Sequence, residues 1–260
     1  MSYWQERNKP YQPGQSTPFK VSRSKIELYM QCPRCFWLDV RLKITRPSSP
    51  PFNINKAIDE LFKKEFDHFR AQGKPHPLMT EFGVDAVPYQ HVQLDKWRQT
   101  FVGVVAIHEP TNLHVFGAVD DLWVNKKGEV IVVDYKATAK DKDVDIDSEW
   151  QISYKRQMEI YQWLLRQNGL EVNNTGYFVY TNGRLDMDGF YDKVEFRTKV
   201  IPYKGDDSWV EPTLKKMKKC MDGDMPAVGK AAMGGVCEFC EYAKKRTQLT
   251  LDSINKSKKK

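Results

Sequence analysis

The run Val130-Ile131-Val132-Val133-Asp134-Tyr135-Lys136-Ala137-Thr138 constrains the fold most. It opens apolar without alternation, which marks a strand covered on both faces. Upstream, Val115-Phe116-Gly117-Ala118-Val119-Asp120-Asp121-Leu122-Trp123-Val124 has the same β-forming character, and Asn125-Lys126-Lys127-Gly128-Glu129 separates the two. That order predicts a β-hairpin with a short glycine-containing turn. Side chains alternate faces, so Asp134 and Lys136 point the same way. On the first strand Phe116, Ala118 and Asp120 share one face, and Asp121 takes the other. Charges leaving a buried strand are costly unless paired or ligated. A strand-end salt bridge and a chemical site both satisfy that condition.

The surrounding chain predicts an α/β domain on a mixed sheet. Ser24, with Glu27 three residues on, predicts a capped helix running into Cys32-Pro33-Arg34-Cys35. Ile58, Leu61, Phe62, Phe66 and Phe69 recur at helical spacing and predict an amphipathic helix over 55–70. Asp59 sits at the edge of its apolar stripe. Residues 94–101 read as a short helix and 139–148 as a charged, mobile loop. Residues 154–169 read as a helix stopped by Asn168-Gly169. On it Gln157 and Tyr161, four apart, share a face. Strands are expected at 176–180 and at an edge, 194–201, then a basic helix over 209–221. Residues 1–19 read as a flexible arm, 20–250 as one domain and 251–260 as a basic tail. His76, His91, His108 and His114 lack ligand spacing and read as structural.

The 260 residues carry 41 Lys+Arg against 34 Asp+Glu, a net charge of +7. That balance suits a polyanionic partner such as nucleic acid. A mean hydropathy of -0.64 and the lack of a long apolar run exclude a membrane-spanning class. The polar N-terminus shows no secretory pattern, so a cytoplasmic location is expected. In that compartment paired cysteines point to metal before disulfide. Cys32/Cys35 and Cys237/Cys240 form two Cys-x-x-Cys pairs far apart in the chain. Together they can close a tetrahedral site that staples the chain's ends. Cys220 reads as a plain thiol.

If Asp120 shares the face of Asp134, two carboxylates and a lysine converge at the sheet's end. Carboxylates are hard ligands suited to Mg²⁺ or Mn²⁺, which can polarise a phosphoryl oxygen. The pattern Gly117-Ala118-Val119-Asp120, a turn, then Val133-Asp134-Tyr135-Lys136-Ala137-Thr138, resembles the core motif of the PD-(D/E)XK nuclease superfamily. With Gln157 and Tyr161 on the following helix, and Ser24 to Cys32-Pro33 on an earlier one, the nearest resemblance is to the RecB-like exonucleases, including CRISPR-associated and AddB-type nuclease domains. It extends from about Ser22 to Tyr242.

The resemblance implies a restriction-endonuclease-like mixed sheet flanked by helices, with N- and C-terminal segments joined by the cysteine clasp. It makes Asp120, Asp134 and Lys136 catalytic. Asp120, Asp134 and the Tyr135 carbonyl would hold Mg²⁺ or Mn²⁺, and Asp59 stands where relatives often place a histidine ligand. Gln157 and Tyr161 would position DNA or the active-site network. The implied activity is metal-dependent hydrolysis of DNA, single-stranded or at duplex ends, in repair, recombination or defence. A helicase or another repair or defence protein is a possible partner, because no nucleotide-binding P-loop is present. Some relatives hold a [4Fe–4S] cluster in such cysteines. A cluster on Cys32, Cys35, Cys237 and Cys240 is preferred over zinc, which stays open. The alternative function is a catalytically silent nucleic-acid-binding module on the same fold.

Overall fold

The structure is a computed structural model that describes residues 9–48, 53–230 and 235–257. In chain order its elements are β1 (Phe19–Ser22), α1 (Arg23–Gln31), α2 (Pro33–Leu42), α3 (Asn53–Gln72), α4 (Pro77–Glu81), β2 (Ala86–Pro88) and α5 (Leu94–Trp97). Then come β3 (Val104–His108), β4 (Leu113–Gly117), β5 (Asp121–Asn125), β6 (Val130–Thr138), α6 (Ile152–Gln167), β7 (Thr175–Gly183), β8 (Phe196–Lys204), α7 (Val210–Asp222) and α8 (Glu238–Ser257). The chain divides into two compact units, residues 50–108 with 114–210, and residues 1–49 with 109–113 and 211–260.

The first of these holds a five-stranded sheet in the order β2-β5-β6-β7-β8. Its β6–β7 pair is parallel and its other pairs antiparallel, so the sheet is mixed. The β6–α6–β7 crossover supplies the parallel pair, as such a connection must. The faces of β6 divide the work. Ile131, Val133 and Tyr135 join a core with Phe66 of α3, Met79, Trp123, Val179 and Val200. Asp134 and Lys136 lie on the opposite face, toward α6. That helix is buried continuously from Gln157 to Leu165, as expected of a helix covered on every side. Gly176 is required beneath it: a Cβ there would stand 2.3 Å from Met158 Sδ and 2.9 Å from Val132 O.

The hairpin forms as expected between β5 and β6, with Asp121 opposite Val133. The upstream strand is not continuous, however. It breaks over Ala118, Val119 and Asp120, leaving β4 and β5 as separate strands. Val119 N donates to Trp97 O at 3.2 Å and Arg98 Nε to Asp120 O at 3.1 Å, so residues of the α5 turn hold the break. The segment 139–148 is anchored rather than loose. Val144 and Ile146 are buried, and Asn182 Nδ2 donates to the Lys140 and Lys142 carbonyls at 3.0 and 3.2 Å.

In the second unit Ser22, not Ser24, caps α1, its side chain accepting from Lys25 N. Tyr11, inside the segment expected as an arm, is buried; its hydroxyl donates to Asp222 Oδ1 at 2.6 Å. Cys32 sits between α1 and α2 in extended conformation, and Pro33 opens α2, where its missing N–H costs nothing. The Cys237–Cys240 segment, expected in a loop, enters α8, which continues to Ser257 through much of the expected tail. Residues 258–260 lie outside the described set. Among the described residues, no helix is long and apolar enough to cross a membrane.

Candidate active site and cysteine metal centre

The C-terminal half of β6 delivers Asp134 and Lys136 to one place. Asp134 is fully buried. Gln157 Nε2 donates to its Oδ1 at 2.6 Å and lies 3.3 Å from the Tyr161 hydroxyl. The four-residue spacing on α6 thus stacks Gln157 and Tyr161 above the carboxylate. Asp134 Oδ2 forms an ion pair with Lys136 Nζ yet has no hydrogen-bond partner among the described residues. A buried carboxylate oxygen left in that state suits a cation. Lys136 Nζ also stands 4.6 Å from the centre of the Tyr154 ring.

Asp120 reaches the same edge from the strand break. Its Oδ2 accepts from Tyr135 N at 3.0 Å. Desolvation and then the Asp134 charge push its carboxyl up to about 7, while Lys136 and Lys63 oppose them. Asp59 comes from α3, where Lys63 Nζ lies 2.6 Å from its Oδ2. Burial and then Asp120 raise the Asp59 carboxyl above its ordinary value. Burial works against the Lys63 charge, but Asp59 and Asp120 outweigh it and raise that group. Asp59 and Asp120 therefore feel one another. Among the described residues, though, Asp59, Asp120 and Asp134 do not form a set whose oxygens all lie within 4.8 Å. Asp59 is engaged by Lys63 instead.

Behind Asp120, on the other face, Asp121 is fully buried. It pairs with Arg70 and, at 2.8 Å, with Arg98, and its Oδ2 accepts from the Tyr135 hydroxyl at 2.8 Å. Arg98 also grips both Asp67 oxygens at 2.9 Å. This network fixes the backbone from which Asp120 projects. Sequence reasoning missed Lys63, Tyr154, Arg70 and Arg98. Lys63 alone carried a local signal, since Asp59 and Lys63 are four apart on a helix.

The four cysteines gather in the other unit. Their sulfurs all lie within 4.8 Å of one another. Individual separations are 3.8 Å for Cys32–Cys240, 3.7 Å for Cys35–Cys237 and 3.6 Å for Cys35–Cys240. Zinc–thiolate bonds of about 2.3 Å in a tetrahedron place sulfurs about 3.8 Å apart. The quartet has that size. A four-iron cube stands between its thiolates and needs them farther apart. Cys35 N at 3.5 Å and Gly229 N at 3.2 Å donate to Cys32 Sγ. Burial pushes the Cys32 thiol up, but these N–H groups and the Cys35 and Cys237 thiols outweigh it and bring it down to about 7. Burial and the Cys35 sulfur push the Cys240 thiol upward. Arg46 Nη2 donates to Cys237 Sγ at 3.4 Å, and its guanidinium lies 4.5 Å from the Phe239 ring centre. Cys220 stays apart, its thiol raised by burial to about 11.

Comparison with known proteins gives three findings. The sequence model of the PD-(D/E)XK nuclease superfamily matches residues 53–244, well over half the chain. No curated protein matches significantly. Among solved structures, SSO0001 is similar at 16% identity and a TM-score of 0.34, with 80% of this chain and 78% of that one covered, a likeness too slight to carry an argument. The matched residues span the broken strand, β6, α6 and the second cysteine pair, and the chain belongs to the PD-(D/E)XK nuclease superfamily.

Proposed function

We propose that this protein is a metal-dependent deoxyribonuclease that hydrolyses phosphodiester bonds of DNA, acting as a RecB-like exonuclease in repair, recombination or defence. One observation carries the reading. Asp134 is buried at a strand end with Oδ1 fixed by Gln157 and Oδ2 ion-paired with Lys136, while Asp120 joins it from the strand break. A structural ion pair needs no second carboxylate, and two buried carboxylates repel unless a cation sits with them.

Asp120, Asp134 and the Tyr135 carbonyl would hold Mg²⁺ or Mn²⁺, with Asp59 freed from Lys63 as a further ligand. Such a cation would supply Lewis acidity toward the phosphoryl oxygen and the attacking water. Lys136 orients the attacking water and offsets charge on the phosphoryl group. Gln157 and Tyr161 hold Asp134 in register with the scissile phosphate. A helicase or another repair or defence protein would prepare the end, in the cytoplasm. For the cysteine quartet the sulfur spacing favours one tetrahedral ion such as Zn²⁺ over the cluster expected from sequence.

The test is cleavage of end-labelled single- and double-stranded DNA with Mn²⁺, with and without chelator. Asp134→Asn and Lys136→Ala should each lose activity by at least about a thousandfold while keeping the wild-type circular dichroism spectrum. Undiminished cleavage by both variants overturns the assignment. Salt-dependent DNA binding without cleavage by the wild type would establish the silent binding module instead. Metal analysis of anaerobically purified protein decides the quartet: zinc without visible absorption supports the single ion, and iron with sulfide refutes it.

A further inference from the structure

The connection between β7 and β8, residues 184–195, sets large apolar side chains among its charges. Leu185, Met187, Phe190, Tyr191 and Val194 are all exposed within it, Phe190 at 65% and Tyr191 at 80%. Large apolar groups clustered on a surface mark a contact site. The segment is not loose. Arg184 Nε and Nη2 each reach Asp186 at 3.1 Å, and Arg184 Nη1 reaches Glu195 at 3.1 Å. Arg197 donates to Asp186 at 2.7 Å and Lys193 to Glu195 at 2.7 Å. Arg184 N donates to Glu195 O and Lys193 N to Phe190 O, each at 2.8 Å. Tyr191 and Asp192 both take left-handed conformations, with φ 42° and 54°. Non-glycine residues do so at a cost that the surrounding contacts must meet. The tip is a braced platform that holds two aromatic rings outward.

Its position follows from the sheet. Lys136 is paired with Tyr180 and Thr138 with Asn182 on parallel β7. The tip therefore leaves the same edge of the sheet that carries Lys136. From Tyr180 to Gly183, at roughly 3.3 Å per residue, is about 10 Å. At the base, a Cβ on Gly183 would stand 3.6 Å from Ala139 Cβ, three residues after Lys136. The hairpin root thus touches the end of the catalytic strand.

We propose that this hairpin tip is a base-stacking element, with Phe190 and Tyr191 holding the unpaired bases of a single-stranded or frayed DNA end beside the catalytic edge. The inference rests on the nuclease reading. The exposed rings, not charge, select the occupant's chemistry. Residues 184–197 carry Arg184, Lys193 and Arg197 against Asp186, Asp188, Asp192 and Glu195, so the tip has no excess positive charge for phosphates. The cations are already engaged by Asp186 and Glu195. What remains to offer is aromatic surface, which binds the π-face of any base.

The experiment uses the full chain carrying Asp134→Asn, so that DNA binds without being cut. Its affinity is measured for a single-stranded oligonucleotide and for an abasic strand of the same length, across a salt series. Phe190→Ala/Tyr191→Ala and Phe190→Leu/Tyr191→Leu are compared with the parent; the leucine pair keeps apolar surface but removes the rings. The expected result is an at least ten-fold loss on the base-bearing strand for both pairs, no change on the abasic strand and an unchanged salt slope. Equal affinity of parent and variants, or equal loss on both strands, overturns the proposal. So does a change of oligomeric state with unaltered DNA affinity, which would make the tip a protein contact. Failure here is separable from failure of the nuclease reading: the same substitutions with native Asp134 would then cut DNA like the wild type, whereas a wild type that neither cuts nor binds DNA removes both.

Discussion

Gln157 is a small device with a large burden. Its amide is the hydrogen-bond donor to Asp134 Oδ1, deep beneath α6. Replacement by leucine keeps the volume and leaves a carboxylate oxygen buried without a partner, which costs about 1–3 kcal/mol. Urea denaturation of Gln157→Leu in chelator should show that loss, and an unchanged midpoint would mean that water replaces the amide. Asp120 gives a pH-dependent prediction. Its carboxyl is raised from 3.8 to about 7, so the folded chain keeps a proton there that the unfolded chain releases. Between about pH 4 and pH 7 the folded state binds more protons, and stability must fall as pH rises. Asp120→Asn should flatten that slope in metal-free protein; a persistent slope would place its origin elsewhere. At the other centre, Arg46 lies beside Cys237 of a quartet whose four thiolates, with one divalent ion bound, would carry excess negative charge. Arg46→Ala should hasten metal loss to a chelator several-fold and Arg46→Lys less so, and equal loss rates would reduce Arg46 to packing on Phe239.

At the scale of elements, the strand break is the feature that matters and the one the sequence hid. Residues 115–124 are β-branched and aromatic at both ends with Gly117, Ala118 and Asp120 between, and contacts from Trp97 and Arg98, about twenty positions upstream, hold the break there. Local propensity carries no trace of such a tertiary contact. The alternation that set Asp120 and Asp121 on opposite faces still gave the right sides, because the break preserves the side of each residue: Asp120 meets Tyr135 N and Asp121 meets the Tyr135 hydroxyl. β6 and α6 were legible because a buried strand and an all-round buried helix carry strong patterns. The 139–148 segment was misread because its two anchors, Val144 and Ile146, are sparse among six charges. The Asp121 network invites a direct measurement. Asp121→Ala leaves Arg70 and Arg98 buried without that partner and should cost about 3–5 kcal/mol in a thermal or urea unfolding curve. A loss below about 1 kcal/mol would show that Asp67 alone satisfies both arginines.

At the scale of the molecule, the two Cys-x-x-Cys pairs announced a closure between distant chain segments, and the structure joins them within one unit. The assembly of that unit from three separate stretches had no sequence signal beyond the basic excess of residues 211–260. The residues proposed as catalytic all fall in the other unit, whose two stretches interrupt the first. This arrangement has a consequence during synthesis. Cys32 and Cys35 leave the ribosome about 200 residues before Cys237. At roughly 5–20 residues per second they wait on the order of 10–40 s for the second pair. In that interval the nascent chain carries a half-built chelate exposed to oxidants and stray metals, while the inserted nuclease core can already collapse. The sulfur quartet can therefore close only after the second pair has emerged.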